Sequence, residues 1–160
     1  MRILKTRDVK TPNRGTPQSA GIDFFIPNEF FIKYEDEYVL VGKDGFTLQP
    51  GASVLIPSGI KLNVPDGHAL VAFNKSGVAV KKNIIAGACV IDSDYMGELH
   101  FDLKNVGSKE SILKAGDKIL QFICIPVNFV SVEEVNSTEE LFKGITTERG
   151  DGGFGSTGDR

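Results

Sequence analysis

The apolar residues of this chain occur in short runs rich in Val, Ile and Phe, and turn residues separate the runs. Typical examples are IDFFIP, SVLIPSGIKLNVP, IIAGACVID and KILQFICIPV. Runs of this length and β-branched content, divided by Gly and Pro, are typical of strands rather than helices. The chain is therefore limited to folds that are built from many short strands.

Two segments show strict alternation of apolar and polar residues, Ile60–Val64 and Glu98–Leu103. Turn signals such as Pro50-Gly51 recur between the runs. Together they predict an all-β sandwich or jelly-roll barrel. We expect only two short helical pieces: residues 76–82, with Ser76 as the N-cap and two lysines at the carboxyl end, and one turn at residues 139–143.

Length and charge restrict the classes of partner. A chain of 160 residues with a net charge of −3 is one domain-sized unit without the cationic surplus that a long nucleic acid requires, whereas a small anion needs only a few local cations. The amino terminus MRILKTRDVK is charged where a signal peptide is apolar, and no run is long enough to span a membrane. We expect a cytoplasmic protein without a membrane partner.

The cysteines and histidines give no metal or disulfide signal. Cys89 and Cys124 both lie in apolar runs and are expected to be buried free thiols. His68 and His100 are far apart and have no partner at ligand spacing, so both are interpreted as ordinary polar positions.

The carboxyl terminus is unusually rich in glycine. Residues 153–158 read GFGSTG and fit G-x-G-x-x-G, but only two residues follow, so no helix can complete a dinucleotide-binding loop. The segment is either a frayed tail or one that a ligand orders. The second interpretation, ordering by a ligand, is favoured by Arg149, Phe154 and the Ser156-Thr157 pair. Guanidinium and hydroxyl groups bind phosphates, and an aromatic ring stacks on a base.

Four further stretches combine reactive side chains with turns. Asn74–Gly77 is either an anion cradle or a simple N-cap, and Ala20–Asp23 ends in an aspartate that either orients a hydrated cation or forms a turn. Val90–Gly97 places two aspartates and a tyrosine after an apolar strand, and spacing does not decide which aspartate is a base. Gln121 either satisfies a core backbone group or points into a site.

In order along the chain, these stretches resemble the five motifs of the trimeric dUTP diphosphatase (dUTPase) family. The matching segments are AGID at 20–23, KSGVA at 75–79, GACVIDSDYMG at 87–97, GDKILQ at 116–121 and RGDGGFGSTG at 149–158. The resemblance implies a distorted jelly-roll β-barrel of residues 1–148, a flexible arm of residues 149–160, and a homotrimer with shared active sites. It also implies hydrolysis of dUTP to dUMP and pyrophosphate with Mg²⁺ on the triphosphate, which limits uracil in DNA and supplies dUMP for thymidylate synthesis.

By this resemblance, Asp92 positions and deprotonates the attacking water and holds the sugar 3′-hydroxyl. Tyr95 packs under the deoxyribose, where a ribose 2′-hydroxyl would clash. The backbone around three residues pairs with uracil: Ala86, Cys89 and Val90.

The same resemblance assigns the phosphate contacts. Gln121 binds the phosphate and the catalytic water, and Asp23 meets the hydrated magnesium ion through water. The other substrate-binding positions are Lys75, Ser76, Gly77, Arg149, Phe154, Gly155, Ser156 and Thr157, with the Phe154 ring closing over uracil.

The chain departs from the family pattern at two places. Lys75 stands where most members have arginine, so the bidentate fork is lost. Residues 33–46 form an added segment, which we interpret as a hairpin of Val39–Val41 turning at Gly42–Gly45, without a catalytic role. Two alternatives remain: a dCTP deaminase, whose glutamate-centred motif is not found, and a non-catalytic β-sandwich module.

Overall fold

The computed structural model describes residues 1–34 and 37–153. The chain divides into two compact units, Met1–Asn128 and Phe129–Arg160. Phe154, Gly155, Ser156 and Thr157, which the sequence assigns to substrate binding, lie outside the described residues.

The first unit is built almost entirely from strands, which confirms the all-β prediction. Its elements are β1 (Ile3–Lys5), β2 (Ile22–Phe25), β3 (Phe31–Tyr34), β4 (Glu37–Leu40), β5 (Phe46–Leu48), β6 (Ser53–Pro57), β7 (Ile60–Leu62), β8 (His68–Asn74), α1 (Ser76–Lys82), β9 (Ile84–Ala86), β10 (Val90–Ile91), β11 (His100–Asn105), β12 (Ser111–Leu113) and β13 (Lys118–Pro126). The second unit contains α2 (Thr138–Phe142). No helix of the described part is long and apolar enough to cross a membrane.

Two larger sheets carry the jelly roll. One has the strand order β10-β8-β13-β2 and the other β4-β3-β6-β11-β9, and the pairs β1-β7 and β12-β5 complete the described strands. The predicted alternation is confirmed: Ile60, Leu62 and Val64 are buried while the residues between them are exposed. Strand β11 of the second large sheet follows the same pattern, with Phe101 and Leu103 buried and Lys104 exposed, so its apolar side chains face the core.

Aromatic rings join the two sheets at the centre of that core. Phe122 of β13 lies 4.5 Å from Phe24 of β2 and 6.5 Å from Phe101 of β11, measured between ring centroids. All three side chains are almost completely buried. Tilted aromatic pairs at these separations stabilise the fold beyond the burial of their apolar surface. The contact between Phe101 and Phe122 therefore helps to hold the two sheets together.

The predicted helix at residues 76–82 is confirmed, but the prediction that Ser76 caps it is wrong. The N-cap is Lys75, which makes no side-chain capping bond, and Ser76 is the first helical residue. The Lys75 carbonyl instead accepts the backbone N–H groups of Val78 and Ala79 at 2.9 Å each. The Ser76 side chain is consequently exposed and not used by the helix end.

The predicted turn of helix near residue 139 is also confirmed. Ser137 caps α2, since its side chain accepts the backbone N–H of Glu140 at 3.1 Å.

The hairpin interpretation of residues 39–45 is wrong in its pairing. Strand β4 pairs with the preceding strand β3, from Phe31 opposite Leu40 to Tyr34 opposite Glu37. Gly42–Gly45 does form a turn, but the strand that follows it, β5, pairs with β12. The added segment thus extends the sheet of β6 and β11, because β3 also pairs with β6 at Lys33.

The two cysteines are free, as predicted, although both are half-buried rather than buried.

Asn105, at the end of β11, is a buried residue whose side chain is fully hydrogen-bonded. It is 1% exposed, and its Nδ2 donates to the carbonyl oxygens of Leu48 and Lys109, both at 2.9 Å. Its Oδ1 accepts the Gly107 N–H at 3.0 Å. Because every polar atom of this side chain is used, it fixes the loops that flank β11.

We predict that Asn105→Asp lowers the free energy of unfolding by roughly 2–4 kcal/mol, because a carboxylate oxygen would face two carbonyl oxygens without a donor. Urea unfolding followed by circular dichroism measures the change. Asn63→Asp is the matched control, since the exposed Asn63 uses only its Oδ1, as acceptor from the Arg2 N–H, and aspartate keeps that role. Equal effects of the two substitutions would contradict the stabilising role of the Asn105 hydrogen bonds.

Candidate active site

Three of the sequence stretches meet where β2, β13 and the end of β8 lie side by side. Asp23 of β2 pairs with Gln121 of β13, and Gln121 pairs in turn with Phe73 of β8, one residue before the strand ends. We call the group Asp23, Lys75, Lys118, Ser76, Gly77 and Gln121 the basic cluster. Its members come together only because antiparallel pairing brings distant segments into register.

Asp23 lies at the centre of the basic cluster and is 4% exposed. Its Oδ1 accepts the Lys75 ammonium at 2.5 Å, and its Oδ2 accepts the Lys118 ammonium at 2.9 Å. Burial alone raises the pKa of this carboxyl, but hydrogen bonds from Lys75 and Lys118, together with their charges, lower it below its ordinary value. Asp23 is therefore an ionised anchor that orients two cations.

Gln121 is half-buried, and its Nε2 donates to the Asn74 carbonyl oxygen at 2.8 Å. A Cβ atom at Gly21 would lie 2.2 Å from the Gln121 Oε1, so only glycine fits beside the amide. The sequence left open whether Gln121 serves a core backbone group or a site. Its amide serves a backbone group at the exposed end of β8, directly before Lys75, and its role toward a substrate stays a prediction.

The amino-terminal turn of α1 is open on its outer side. Ser76 and Gly77 are exposed, and a Cβ atom at Gly77 would meet nothing within 4 Å. A ligand therefore has free access to this turn and to the half-buried Lys75 beside it.

A second candidate region lies between β10, β11 and the turn that joins them. We call it the hairpin pocket: a cavity of about 200 Å³ that is lined by Leu55, Ala88, Val90, Ile91, Asp92, Tyr95, Leu99, His100 and Asp102. Asp92 is exposed at its wall, and its carbonyl oxygen accepts the Tyr95 N–H at 3.3 Å. Asp94 is not part of the lining. Of the two aspartates, Asp92 is therefore the one that lies at this cavity.

The residues predicted to pair with a base are not all in the pocket. Val90 lines it, whereas Ala86 is in β9, where its N–H donates to Asn74 Oδ1 at 2.8 Å. The Cys89 carbonyl oxygen accepts the Ala72 N–H at 2.8 Å. The groups of Ala86 and Cys89 named here are used within the protomer.

His100 and Asp102 line the pocket and were missed as site residues. The available signal was the alternation in Glu98–Leu103, which puts both polar side chains on the face of β11 opposite the buried Phe101. Asp102 Oδ2 accepts the Ala88 N–H at 2.9 Å and so closes one end of the pocket.

The basic cluster and the hairpin pocket lie at opposite ends of β8. Ile91 pairs with Leu70, so Asp92 follows near the beginning of β8, while Lys75 and Ser76 follow its last residue, Asn74. From Ala69 to Asn74 the strand rises roughly 16 Å at ~3.3 Å per residue. Within one protomer, Asp92 and Ser76 are too far apart to contact the same phosphate group.

Arg149 belongs to the second unit and is exposed. Its Nε donates to the Gly152 carbonyl oxygen at 2.8 Å, and the Gly152 N–H donates to the Arg149 carbonyl oxygen at 3.0 Å. Arg149 therefore lies in a tight turn at the start of the glycine-rich segment.

Comparisons with known proteins point to one family. The dUTPase family model matches residues 38–158. The deoxyuridine 5′-triphosphate nucleotidohydrolase of Anaplasma marginale is 32% identical over 164 aligned positions, covering 99% of this chain and 95% of that protein.

Two solved structures share the fold. A variant of the Staphylococcus bacteriophage 80alpha dUTPase with dUpNHpp has a TM-score of 0.76 at 19% identity, covering 98% of this chain and 97% of that one. A variant dUTPase from phage phi11 of S. aureus, described with a structural Mg(II) ion, has a TM-score of 0.66 at 18% identity, covering 86% of this chain and 97% of that one.

We predict that Asp23→Asn lowers the free energy of unfolding by roughly 1–3 kcal/mol at pH 7, because two lysines lose their anionic partner. The folded pKa of Asp23 lies below that of the unfolded chain, so its stabilisation is present above about pH 4 and is lost as the pH falls through the lowered folded pKa. The difference between wild type and variant should therefore shrink in acid.

Urea titrations between pH 3 and pH 7 measure this difference. Asp44→Asn is the control, since Asp44 is exposed in the turn after β4. A wild-type advantage over Asp23→Asn that is independent of pH would contradict the role of the ionised carboxylate.

Proposed function

This chain belongs to the dUTPase family, and from that premise we propose how its own residues hydrolyse dUTP to dUMP and pyrophosphate. The observation that carries the proposal is the hairpin pocket, where the carboxylate of Asp92 and the ring of Tyr95 line one cavity. The nucleoside occupies this pocket, with the deoxyribose against Tyr95. Close packing there leaves no room for a ribose 2′-hydroxyl.

Asp92 acts as the general base. Its exposed carboxylate accepts a proton from a water molecule, whose oxygen attacks the α-phosphorus. The bond from the α-phosphorus to the bridging oxygen breaks, and pyrophosphate leaves. Val90, at the wall of the same pocket, contributes to the surface that receives uracil.

The basic cluster binds the triphosphate. One buried carboxylate between two ammonium groups leaves a local excess of one positive charge, which attracts phosphate oxygens. Ser76 and Gly77 offer the open first turn of α1, and Gln121 orients a phosphate or the attacking water. Because Lys75 is a point donor already bonded to Asp23, it contributes charge rather than a bidentate clamp.

Each active site combines residues of different copies of the chain. Along β8, the position opposite Asp92 and the last residue of the strand lie roughly 16 Å apart, so Asp92 and Ser76 of one protomer do not meet at one phosphate group. A homotrimer, the assembly typical of the family, brings the Asp92 end of one protomer to the Ser76 end of another.

The residues present do not form a protein-held magnesium site. The described part of the chain contains no group of three or more His, Cys, Asp or Glu side chains that could hold an ion, and both oxygens of Asp23 are taken by lysines. A Mg²⁺ ion bound to the triphosphate would shield its charge, and Asp23, whose two oxygens already accept Lys75 and Lys118, would meet that ion through water.

The segment from Arg149 to Thr157 completes the site. The exposed Arg149 guanidinium supplies charge for the terminal phosphate, and Phe154, Gly155, Ser156 and Thr157 follow within a reach of roughly 30 Å. The closure of this segment over the substrate stays a prediction.

The cytoplasmic location of the protein also stays a prediction.

We predict that Asp92→Asn lowers kcat for dUTP by at least ~10³-fold while the Kd for dUpNHpp stays within about threefold, because the amide cannot accept the proton. Pyrophosphate release and calorimetry measure the two quantities. Asp94→Asn should retain turnover, since Asp94 lies outside the pocket lining. Ammonia release from dCTP by the wild type would support a deaminase instead.

We also predict that two inactive variants restore each other. If Asp92→Asn and Gln121→Ala are refolded together in equal amounts, a site needs an intact Asp92 from one copy and an intact Gln121 from another. Random assembly meets this condition in about a quarter of the sites, as ½ × ½. Pyrophosphate release by the mixture, compared with each variant refolded alone, measures the recovery. No recovery would show that one protomer supplies both groups.

A further inference from the structure

A chain of hydrogen bonds connects strand β4 of the added segment to the side chain of Tyr95. Tyr38 of β4 places its hydroxyl 3.1 Å from His100 Nε2, with the two ring centroids 6.3 Å apart. His100 Nδ1 lies 3.0 Å from the Glu98 carbonyl oxygen. The hydroxyl of Tyr95 donates to the same carbonyl oxygen at 2.9 Å.

The direction of each bond follows from what the atoms can do. A carbonyl oxygen only accepts, so the Nδ1 of His100 carries the proton that points at Glu98. In the neutral ring, Nε2 is then an acceptor, and the Tyr38 hydroxyl donates to it. Because a carbonyl oxygen has two lone pairs, the Glu98 oxygen accepts from His100 and Tyr95 together.

Glu98 is a fixed point in this network. Its Oε1 accepts the Gly59 N–H at 2.8 Å and the Arg7 Nε at 3.2 Å. A Cβ atom at Gly97 would lie 2.2 Å from the Tyr95 hydroxyl, so the ring folds back closely over the turn. The backbone carbonyl of Glu98 accepts the Tyr95 hydroxyl, and it is held in place because the Glu98 side chain is itself bonded to Gly59 and Arg7.

We propose that Tyr38 and His100 are positioning residues for the hairpin pocket. Through them, strand β4 of the added segment holds the Tyr95 ring in the position where it packs against the sugar. The proposal rests on the function proposed above, in which Tyr95 packs against the deoxyribose. It gives the added segment a role in substrate selection, and it gives His100 a function that its isolation in the sequence did not indicate.

The physical effect is restriction of motion before substrate binds. His100 is held at both ring nitrogens, so it cannot rotate away from the pocket wall, and it shares the acceptor that fixes Tyr95. Without the Tyr38 hydroxyl, one of these restraints is lost and binding must order the wall itself. Tyr38 does not contact the reacting atoms, so substrate binding should be affected more than chemistry.

The test uses Tyr38→Phe in the full chain, which removes a single oxygen atom. We expect KM for dUTP and Kd for dUpNHpp to rise about 3–10-fold, the worth of one neutral hydrogen bond, with a smaller change in kcat. The ratio of kcat/KM for dUTP over UTP should fall by a similar factor, because a less restrained Tyr95 ring excludes the 2′-hydroxyl less well. The melting temperature should change little.

His100→Phe and the double variant make the test specific. If both residues act through one path, the double variant loses no more affinity than His100→Phe alone, whereas independent effects add. The matched control is Val39→Thr, which alters the neighbouring residue of β4, whose side chain points to the other face of the strand. It should leave KM and the dUTP over UTP ratio unchanged.

Unchanged KM, Kd and selectivity in Tyr38→Phe would overturn the proposal, and so would additive losses in the double variant. If the wild type binds dUpNHpp but does not hydrolyse dUTP, the proposed function fails while the binding measurements still test the network. A wild type that neither binds nor hydrolyses would overturn both.

Discussion

The pairing of β8 with a strand on each side is the constraint on which the site depends. Its register with β13 sets Gln121 beside the end of β8, and its register with β10 brings Asp92 near the beginning of β8. The rings of Phe24, Phe101 and Phe122 hold this sheet against the second one. The register of β8 therefore keeps Asp92 and the basic cluster apart within one protomer, which is the observation behind the proposal that copies share active sites.

The basic cluster shows how a buried carboxylate can prepare a site for an anion. Asp23 is nearly inaccessible, and its negative charge is outweighed by Lys75 and Lys118. Removing Asp23 would leave Lys75 and Lys118 without their shared anion, whereas removing one lysine would leave Asp23 paired with the other. The ammonium group of Lys75 bonds to Asp23 and, together with Lys118, keeps the charge of the cluster positive.

The added segment is an integral part of the second sheet. It pairs with β6 through β3, and Tyr38 of β4 reaches His100 at the wall of the hairpin pocket. The network through the Glu98 carbonyl oxygen links this segment to Tyr95 without touching the reacting atoms. Insertions that join a sheet in this way can alter binding while the catalytic groups stay unchanged.

Local sequence determined the strands, both short helices and the family, because alternation, turn residues and five motifs depend only on neighbouring positions. It singled out Asp92, Tyr95, Gln121 and Lys75 as candidate site residues, but not their partners. The Asp23 ion pairs, the pairing of β4 with β3 and the place of His100 were decided by tertiary structure. Each depends on which distant strands lie side by side, and register between segments far apart in the chain leaves no local pattern.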